Sequence, residues 1–175
     1  RLEEAKAAAE EAIGRVRAPH RLALVAFDGQ ARLLAGLTSD RAVLQLALAA
    51  LKPGRGSRID AGLAMAAAHL AADPPRLQRR VVLVSDGRVA PSTPDDVLAQ
   101  AEALRSSGVL IDAVTWQGTG GDLALMAAVA GLPERLHVAP RPEDLRQVFA
   151  GLDWVPPPCS GRQLWPAALS AAPHP

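Results

Sequence analysis

The sequence predicts an α/β fold of three layers, in which a doubly wound, mostly parallel sheet carries helices on both faces. Apolar strands alternate along the chain with helical segments, a pattern typical of right-handed βαβ units. The run from Val81 to Val84 contains no polar residue, as expected of a strand buried on both faces. It stops at Asp86 and Gly87. Ligands of open α/β sheets bind beyond the carboxyl ends of the strands, so Asp86 is the first candidate for a functional residue.

The amino-terminal part of the chain predicts one helix followed by a hairpin. Residues 2–16 alternate apolar and charged side chains at helical spacing, and no N-cap precedes them. We therefore expect the natural protein to extend upstream of Arg1. A strand over residues 21–27 is followed by Asp28-Gly29, which is typical of a hairpin, and by a short strand over residues 31–34.

Cap signals organise the rest of the chain. Asp40 and Thr93 are predicted N-caps, and Thr93 precedes a proline and two acids, as at many helix starts. Gly108 is predicted to end the helix that Thr93 begins. The remaining predicted elements are helices up to residue 51 and over 58–71, a strand up to 85, a strand over 109–115, a helix over 121–130, a strand over 136–138 and a helix over 142–152.

The domain is predicted to cover residues 1–152. Residues 153–175 contain a run of three prolines, with further prolines later, and this composition is typical of an extended linker or tail. The single cysteine, Cys159, excludes an internal disulfide. It does not indicate a compartment, so cell-surface, membrane-attached and cytoplasmic locations all remain open.

Composition excludes several classes of function. The chain has 175 residues, of which 49% are hydrophobic and 21% charged, with a formal net charge of +1. This is the balance of a soluble globular domain and provides no basic surface for nucleic acid. No apolar run reaches the length of a membrane span. The sequence thus favours a binding module or an enzyme over a nucleic-acid-binding protein, with no membrane span expected within residues 1–175.

Asp86 and Ser57 each allow two interpretations. Asp86-Gly87 is either a turn, in which Asp bonds its own backbone, or a ligand site at a strand end. Ser57 lies before the predicted helix over residues 58–71, with Asp60 three residues later. That spacing predicts a helix cap resembling a capping box. Capping and metal coordination are compatible roles for this hydroxyl.

Several segments in order resemble a von Willebrand factor type A (vWA) domain. They are the sequences RLALVAFDGQARLLAGLTSD, KPGRGSRIDAGLAMAAAHL, RRVVLVSDG, SSGVLIDAVTW and RPEDLRQVFAGL. The resemblance implies a metal-ion-dependent adhesion site for Mg²⁺, in which Ser57 stands at a position where threonine is usual and Asp86 is the acidic ligand.

The resemblance is incomplete at its beginning. The family's first loop, with the pattern Asp-x-Ser-x-Ser, does not occur in this chain, and neither does the central strand that precedes it. Mg²⁺ prefers about six oxygen ligands, so we expect very weak or no Mg²⁺ binding by residues 1–175 alone. We also expect either a gap or an unusual direct pairing between the strand over residues 21–27 and the strand that ends at residue 85.

The resemblance implies a partner protein whose Asp or Glu completes the Mg²⁺ shell. The surrounding loops would then set specificity. They contain Gly29, Gln30, Arg88, Gln117 and Gly118.

Two alternatives remain open from the sequence. One is a vWA subunit of an ATP-driven machine such as a metal chelatase. The other is a phosphate-binding α/β enzyme, because residues 118–121 read Gly-Thr-Gly-Gly before a predicted helix. That spacing matches neither a dinucleotide-binding fingerprint nor a P-loop, and no histidine has a nucleophile beside it. A non-enzymatic role is therefore favoured.

Overall fold

A computed structural model describes residues 2–16, 18–72, 78–117 and 121–152. The helices and strands follow one another in the predicted order. In sequence they are α1 (Leu2–Arg15), β1 (Leu22–Phe27), β2 (Ala31–Thr38), α2 (Arg41–Ala49), α3 (Ile59–Ala71), β3 (Arg80–Val84), α4 (Pro94–Ser106), β4 (Leu110–Trp116), α5 (Leu123–Ala130), β5 (Leu136–Ala139) and α6 (Leu145–Gly151). Short 3-10 turns at Pro133–Arg135 and Pro142–Asp144 precede β5 and α6.

The strands form two separate groups. β3, β4 and β5 are parallel, in that order, whereas β1 and β2 form an antiparallel hairpin. β1 and β3 are not paired with each other in the described part of the chain. Of the two expected arrangements, a gap or a direct pairing of these strands, the described residues show the gap. β2 extends well beyond the predicted residue 34, because its later residues also pair with β1, as in the pair of Leu22 with Thr38.

Helices cover both faces of the parallel sheet, which confirms the layered α/β fold. On one face α3, α4 and α5 pack against Ile111 and Ala113 of β4. On the other face α1 and α6 pack against Val114. Ile13 of α1 also contributes to a smaller core beneath the hairpin, formed with α2. The alternation of side chains along β4 explains the two cores, because successive residues point to opposite faces.

The prediction that β3 is buried on both faces is wrong. Only Leu83 is buried, and the other four residues of β3 are partly exposed. β3 is the outer strand of the three-stranded sheet, so one of its edges has no neighbouring strand there. β4 lies between two strands and takes the buried role instead, with residues 111–115 all buried.

The predicted helix starts at Asp40 and Thr93 are confirmed. The Asp40 side chain accepts hydrogen bonds from two backbone N–H groups of the first turn of α2. Thr93 and Asp96 form a complete capping box at the start of α4. These caps satisfy N–H groups that have no partner inside a helix.

None of the described helices combines the length and apolar character required to cross a membrane.

The predicted tail over residues 153–175 lies outside the described residues, so its linker role stays a prediction.

Candidate functional site

Three loops meet at Gly56, on the side of the molecule where β1 and β3 end. Gly56 has a φ of +88°, and a Cβ atom added to it would lie 3.1 Å from both the Ala90 carbonyl oxygen and the Gly29 Cα. Such close approach requires a residue without a side chain. The loops after β1, before α3 and after β3 are thereby brought together.

Ser57 is held in this junction by its backbone. Its N–H donates to the carbonyl of Ala90 at 2.8 Å, and the N–H of Ala90 donates to the carbonyl of Ser57 at 3.3 Å. This isolated antiparallel bridge joins the loop before α3 to the loop that follows Asp86. The structure thus brings the segments of the two predicted metal ligands side by side.

The prediction that Ser57 caps α3 is wrong. The N-cap position is occupied by Arg58, which makes no side-chain capping bond. Asp60 does not complete a capping box either. It is 8% exposed and accepts hydrogen bonds from Ser92 Oγ at 2.5 Å and Arg58 Nη2 at 2.6 Å. The reason is that Ser57 is extended and bridges to Ala90, which places it one residue too early to cap the helix.

Asp86 follows β3 as predicted, and Arg88 is its neighbour in the turn. The Asp86 carboxylate accepts from the Arg88 backbone N–H at 3.2 Å and from Arg88 Nε at 2.8 Å. Arg88 Nη2 lies 2.6 Å from Oδ2. The hydrogen bond with Asp86 raises the pKa of the Arg88 guanidinium above its ordinary value. The turn interpretation and the ligand interpretation of Asp86 are compatible, because the turn presents the carboxylate at the strand end.

Gly121 and Asp122, just before α5, pack against Asp86 and Gly87. The Asp122 N–H donates to the Asp86 carbonyl at 2.9 Å, and a Cβ on Gly121 would lie 2.6 Å from that same oxygen. Gly87 is packed so closely against the Asp122 backbone that a side chain there would overlap it. This close approach therefore depends on the absence of side chains at Gly87 and Gly121.

The predicted specificity residues lie partly at this junction. Gly29, Gln30 and Arg88 are exposed on the loops that converge there. Gln117 is also exposed, and it follows β4, where its N–H donates to the Ala139 carbonyl at 2.9 Å. Gly118 lies outside the described residues.

Sequence reasoning overlooked Asp28, which it treated only as a hairpin signal. Asp28 follows β1, and its carbonyl accepts from the Arg58 N–H at 2.8 Å. Its carboxylate accepts from the Gln30 N–H at 3.0 Å and from Arg32 Nη2 at 2.5 Å, and it fills the space beside Gly54. The usable signal was the similar position of Asp28 and Asp86, which lie one and two residues beyond the end of an apolar strand.

The donor set does not by itself suit Mg²⁺. Ser57 and Asp86 would offer one hydroxyl and one carboxylate, whereas Mg²⁺ takes about six oxygen ligands in a near-octahedral arrangement. Within the described ranges no three Asp, Glu, His or Cys residues are grouped to hold a metal ion. The described residues therefore provide part of a cation shell and not a complete one.

A second polar cluster lies toward the amino ends of the strands, away from Ser57 and Asp86. Asp112, 1% exposed, accepts from Arg80 Nε at 2.5 Å and from Arg135 Nη1 at 3.0 Å. His137 Nε2 lies 2.9 Å from Asp112 Oδ1. Burial acts to raise the pKa of Asp112, but the hydrogen bonds from Arg80 and His137 and the arginine charges outweigh it, so this pKa lies below its usual value. Sequence reasoning missed this cluster, which ties β3, β4 and β5 together.

Solved structures with similar folds include a von Willebrand factor type A protein from Catenulispora acidiphila. Its TM-score is 0.75 at 20% identity, with 85% of this chain and 36% of that chain covered. The vWF domain of the type V pili tip protein Mfa5 from Porphyromonas gingivalis has a TM-score of 0.71 at 17% identity, covering 85% and 86%. Proximal thread matrix protein 1 from the mussel byssus, solved with a zinc-occupied MIDAS motif, has a TM-score of 0.68 at 22% identity, covering 85% and 39%. These similarities establish the fold.

The sequence comparisons identify the family. No curated protein matches the chain, and the chain spans less than two fifths of the Catenulispora structure. The sequence profile of the von Willebrand factor type A domain matches residues 1–88, which is half of the 175 residues. The same fold, with its layered sheet and helices, appears in the structural relatives. The chain therefore belongs to the von Willebrand factor type A domain family.

Proposed function

We propose that this chain is a non-enzymatic protein-binding module whose partner presents an Asp or Glu side chain to a divalent cation site, with Mg²⁺ as the expected ion. Asp86 and Ser57 would each supply one oxygen ligand to that site. The observation that carries the proposal is the convergence of three loops at Gly56, which sets the Ser57 segment beside the loop that follows Asp86. The remaining oxygen ligands would come from outside the described residues, from the partner and from water.

The charge and exposure of the loops support an acidic partner. The Asp86 side chain is 17% exposed and the Arg88 side chain 53% exposed, so the carboxylate is recessed behind a cationic group. Gly29 and Gln30 add an exposed rim, where the side-chain amide of Gln30 can act as a donor. A carboxylate that approaches from solvent would meet donors and positive charge before it meets Asp86.

Two of the structural relatives are consistent with this role. One is the vWF domain of a pilus tip protein, and another was solved with zinc in its MIDAS motif. Both features belong to those proteins and support, for this chain, a proposal about cation-dependent adhesion.

The proposal is tested by NMR titration of the chain with MgCl₂, with acetate as a probe for an acidic side chain. We expect millimolar Mg²⁺ to shift the backbone amides of residues 57 and 86–90. Asp86→Asn should abolish the shifts and Ser57→Ala should weaken them. Acetate should perturb the same amides only when Mg²⁺ is present.

Matched substitutions elsewhere control for nonspecific effects. Asp95→Asn changes an exposed carboxylate on α4, and Ser106→Ala changes an exposed hydroxyl on the same helix. Both should leave the Mg²⁺ response unchanged. Shifts that survive Asp86→Asn, or acetate binding that needs no cation, would contradict the proposed site.

A further inference from the structure

We propose that the Arg88 guanidinium is an internal counter-ion that competes with a metal cation for Asp86 and so weakens cation binding at this loop. The proposal rests on the proposed function only in assigning Asp86 as a cation ligand. It accounts for a feature that a plain metal site would not have, namely a carboxylate already matched to a positive side chain two residues away.

The contacts show that Arg88 engages both carboxylate oxygens. Nε and Nη2 lie 2.8 Å and 2.6 Å from Oδ2, and the backbone N–H of Arg88 donates to Oδ1 at 3.2 Å. Charge-assisted bonds of this kind are short and strong among protein hydrogen bonds. The carboxylate is thus neutralised and oriented within its own turn.

A metal ion cannot share Oδ2 with the guanidinium without a cost. Mg²⁺ binds oxygen ligands at about 2.1 Å, so a divalent cation on Oδ2 would be within a few ångströms of the Nη2 charge, and like charges repel strongly at that distance. Arg88 must therefore move away before the cation binds. Its side chain is 53% exposed, which leaves it free to turn into solvent.

The chain contains a natural control pair on the neighbouring loop. Asp28 and Arg32 form a similar pair, with Arg32 Nη2 at 2.5 Å from Oδ2 and side-chain exposures of 17% and 51%. Removing the Arg32 charge changes the net charge of the protein by the same amount and leaves Asp86 and Arg88 intact. A comparison of the two arginines separates direct competition from a general effect of net charge.

The experiment measures Mn²⁺ binding to the 175-residue chain and its variants, from paramagnetic broadening of the amide resonances of residues 85–90. Arg88→Gln should tighten Mn²⁺ binding about two- to fivefold, which corresponds to the strength of a partly exposed ion pair. Arg88→Lys keeps the charge but loses the planar, two-pronged guanidinium, so it should tighten Mn²⁺ binding by a smaller factor. Arg32→Gln should change the affinity by less than about 1.5-fold, as expected for screened charges that are not in contact.

The outcomes distinguish a failure of the competition alone from a failure that also removes the cation site. Equal Mn²⁺ affinity of Arg88→Gln and the parent, with binding lost in Asp86→Asn, would overturn the competition and leave the cation site standing. If Mn²⁺ binds more tightly to Arg88→Gln and equally tightly to the Arg88→Gln/Asp86→Asn double variant, the ion binds elsewhere. That result would overturn both the competition and the cation site at Asp86. Absence of broadening in every variant would also overturn both, because removal of the guanidinium would then release no cation site.

Discussion

The backbone groups of Ser57 and Ala90 bond to each other in both directions, at 2.8 Å and 3.3 Å. This pair is an isolated bridge outside the two sheets, yet it is the link between the loop before α3 and the loop after β3. The position of the Ser57 hydroxyl relative to Asp86 therefore depends on the turn at Gly56 that precedes it. Substitutions in this turn should report on the site without touching a proposed ligand.

Gly56→Ala should lower the free energy of unfolding by about 1–3 kcal/mol, because a side chain at φ +88° is strained. The added Cβ would also press on Ala90 and Gly29 at 3.1 Å. Urea denaturation measures the loss, and amide shifts at residues 57 and 90 should accompany it.

Variants at two other glycines distinguish the effect of backbone strain from that of steric contact with neighbouring residues. Gly108 has φ +81° with nothing within 4 Å of an added Cβ, and Gly14 in α1 has neither constraint. Gly108→Ala should therefore show the strain alone and leave the amides of residues 57 and 90 in place. Gly14→Ala should stabilise the helix by about 0.5–1 kcal/mol. A Gly56→Ala variant as stable as the parent would show that the loop junction is not tightly packed.

Asp112→Asn should lower the free energy of unfolding by about 3 kcal/mol. The substitution leaves two guanidinium groups facing a neutral amide in a largely buried position, and breaking a buried ion pair from one side is costly. Urea denaturation is the measurement, with Asp95→Asn as a control for an exposed carboxylate. A loss below about 0.5 kcal/mol would mean that the cluster does not hold the three parallel strands together.

The stability of the chain should fall in acid. The pKa of Asp112 is lowered by the hydrogen bonds and charges that outweigh its burial, and that of Asp60 is lowered chiefly by the hydrogen bond from Arg58. A carboxyl whose pKa is lower in the folded state binds protons more tightly when unfolded. Its stabilisation is therefore complete above the unfolded pKa of about 3.9 and is lost as pH falls through the folded pKa.

This pH dependence can be assigned to residues. The free energy of unfolding, measured in urea from pH 7 to pH 2, should decline below about pH 5. Asp112→Asn should make that decline shallower, since one of the responsible carboxyl groups is gone. A decline with the same slope in the parent and in Asp112→Asn would assign the acid sensitivity to other groups.

Local signals in the sequence were sufficient for most of the fold. The caps at Asp40 and Thr93 act on N–H groups only two or three residues away, so they can be predicted from neighbouring residues in the sequence. Apolar periodicity likewise located the helices and the strand that leads to Asp86. Two local inferences failed for tertiary reasons. The cap at Ser57 gave way to a backbone bridge with a residue 33 positions later, and β3 is less buried than its apolar sequence predicted because it is the outer strand of its three-stranded sheet.

The sequence by itself determined the α/β class, the order of elements and the position of Asp86 at the end of an apolar strand, because these depend on contacts within a few residues. Tertiary structure alone decided which distant partners surround several of the polar groups. It placed Asp28 beside Gly54, enclosed Asp60 with Ser92, and gathered Arg80, Arg135 and His137 on Asp112. These partners are far apart in the chain, and only the packing of strands and loops brings their charges within hydrogen-bonding distance.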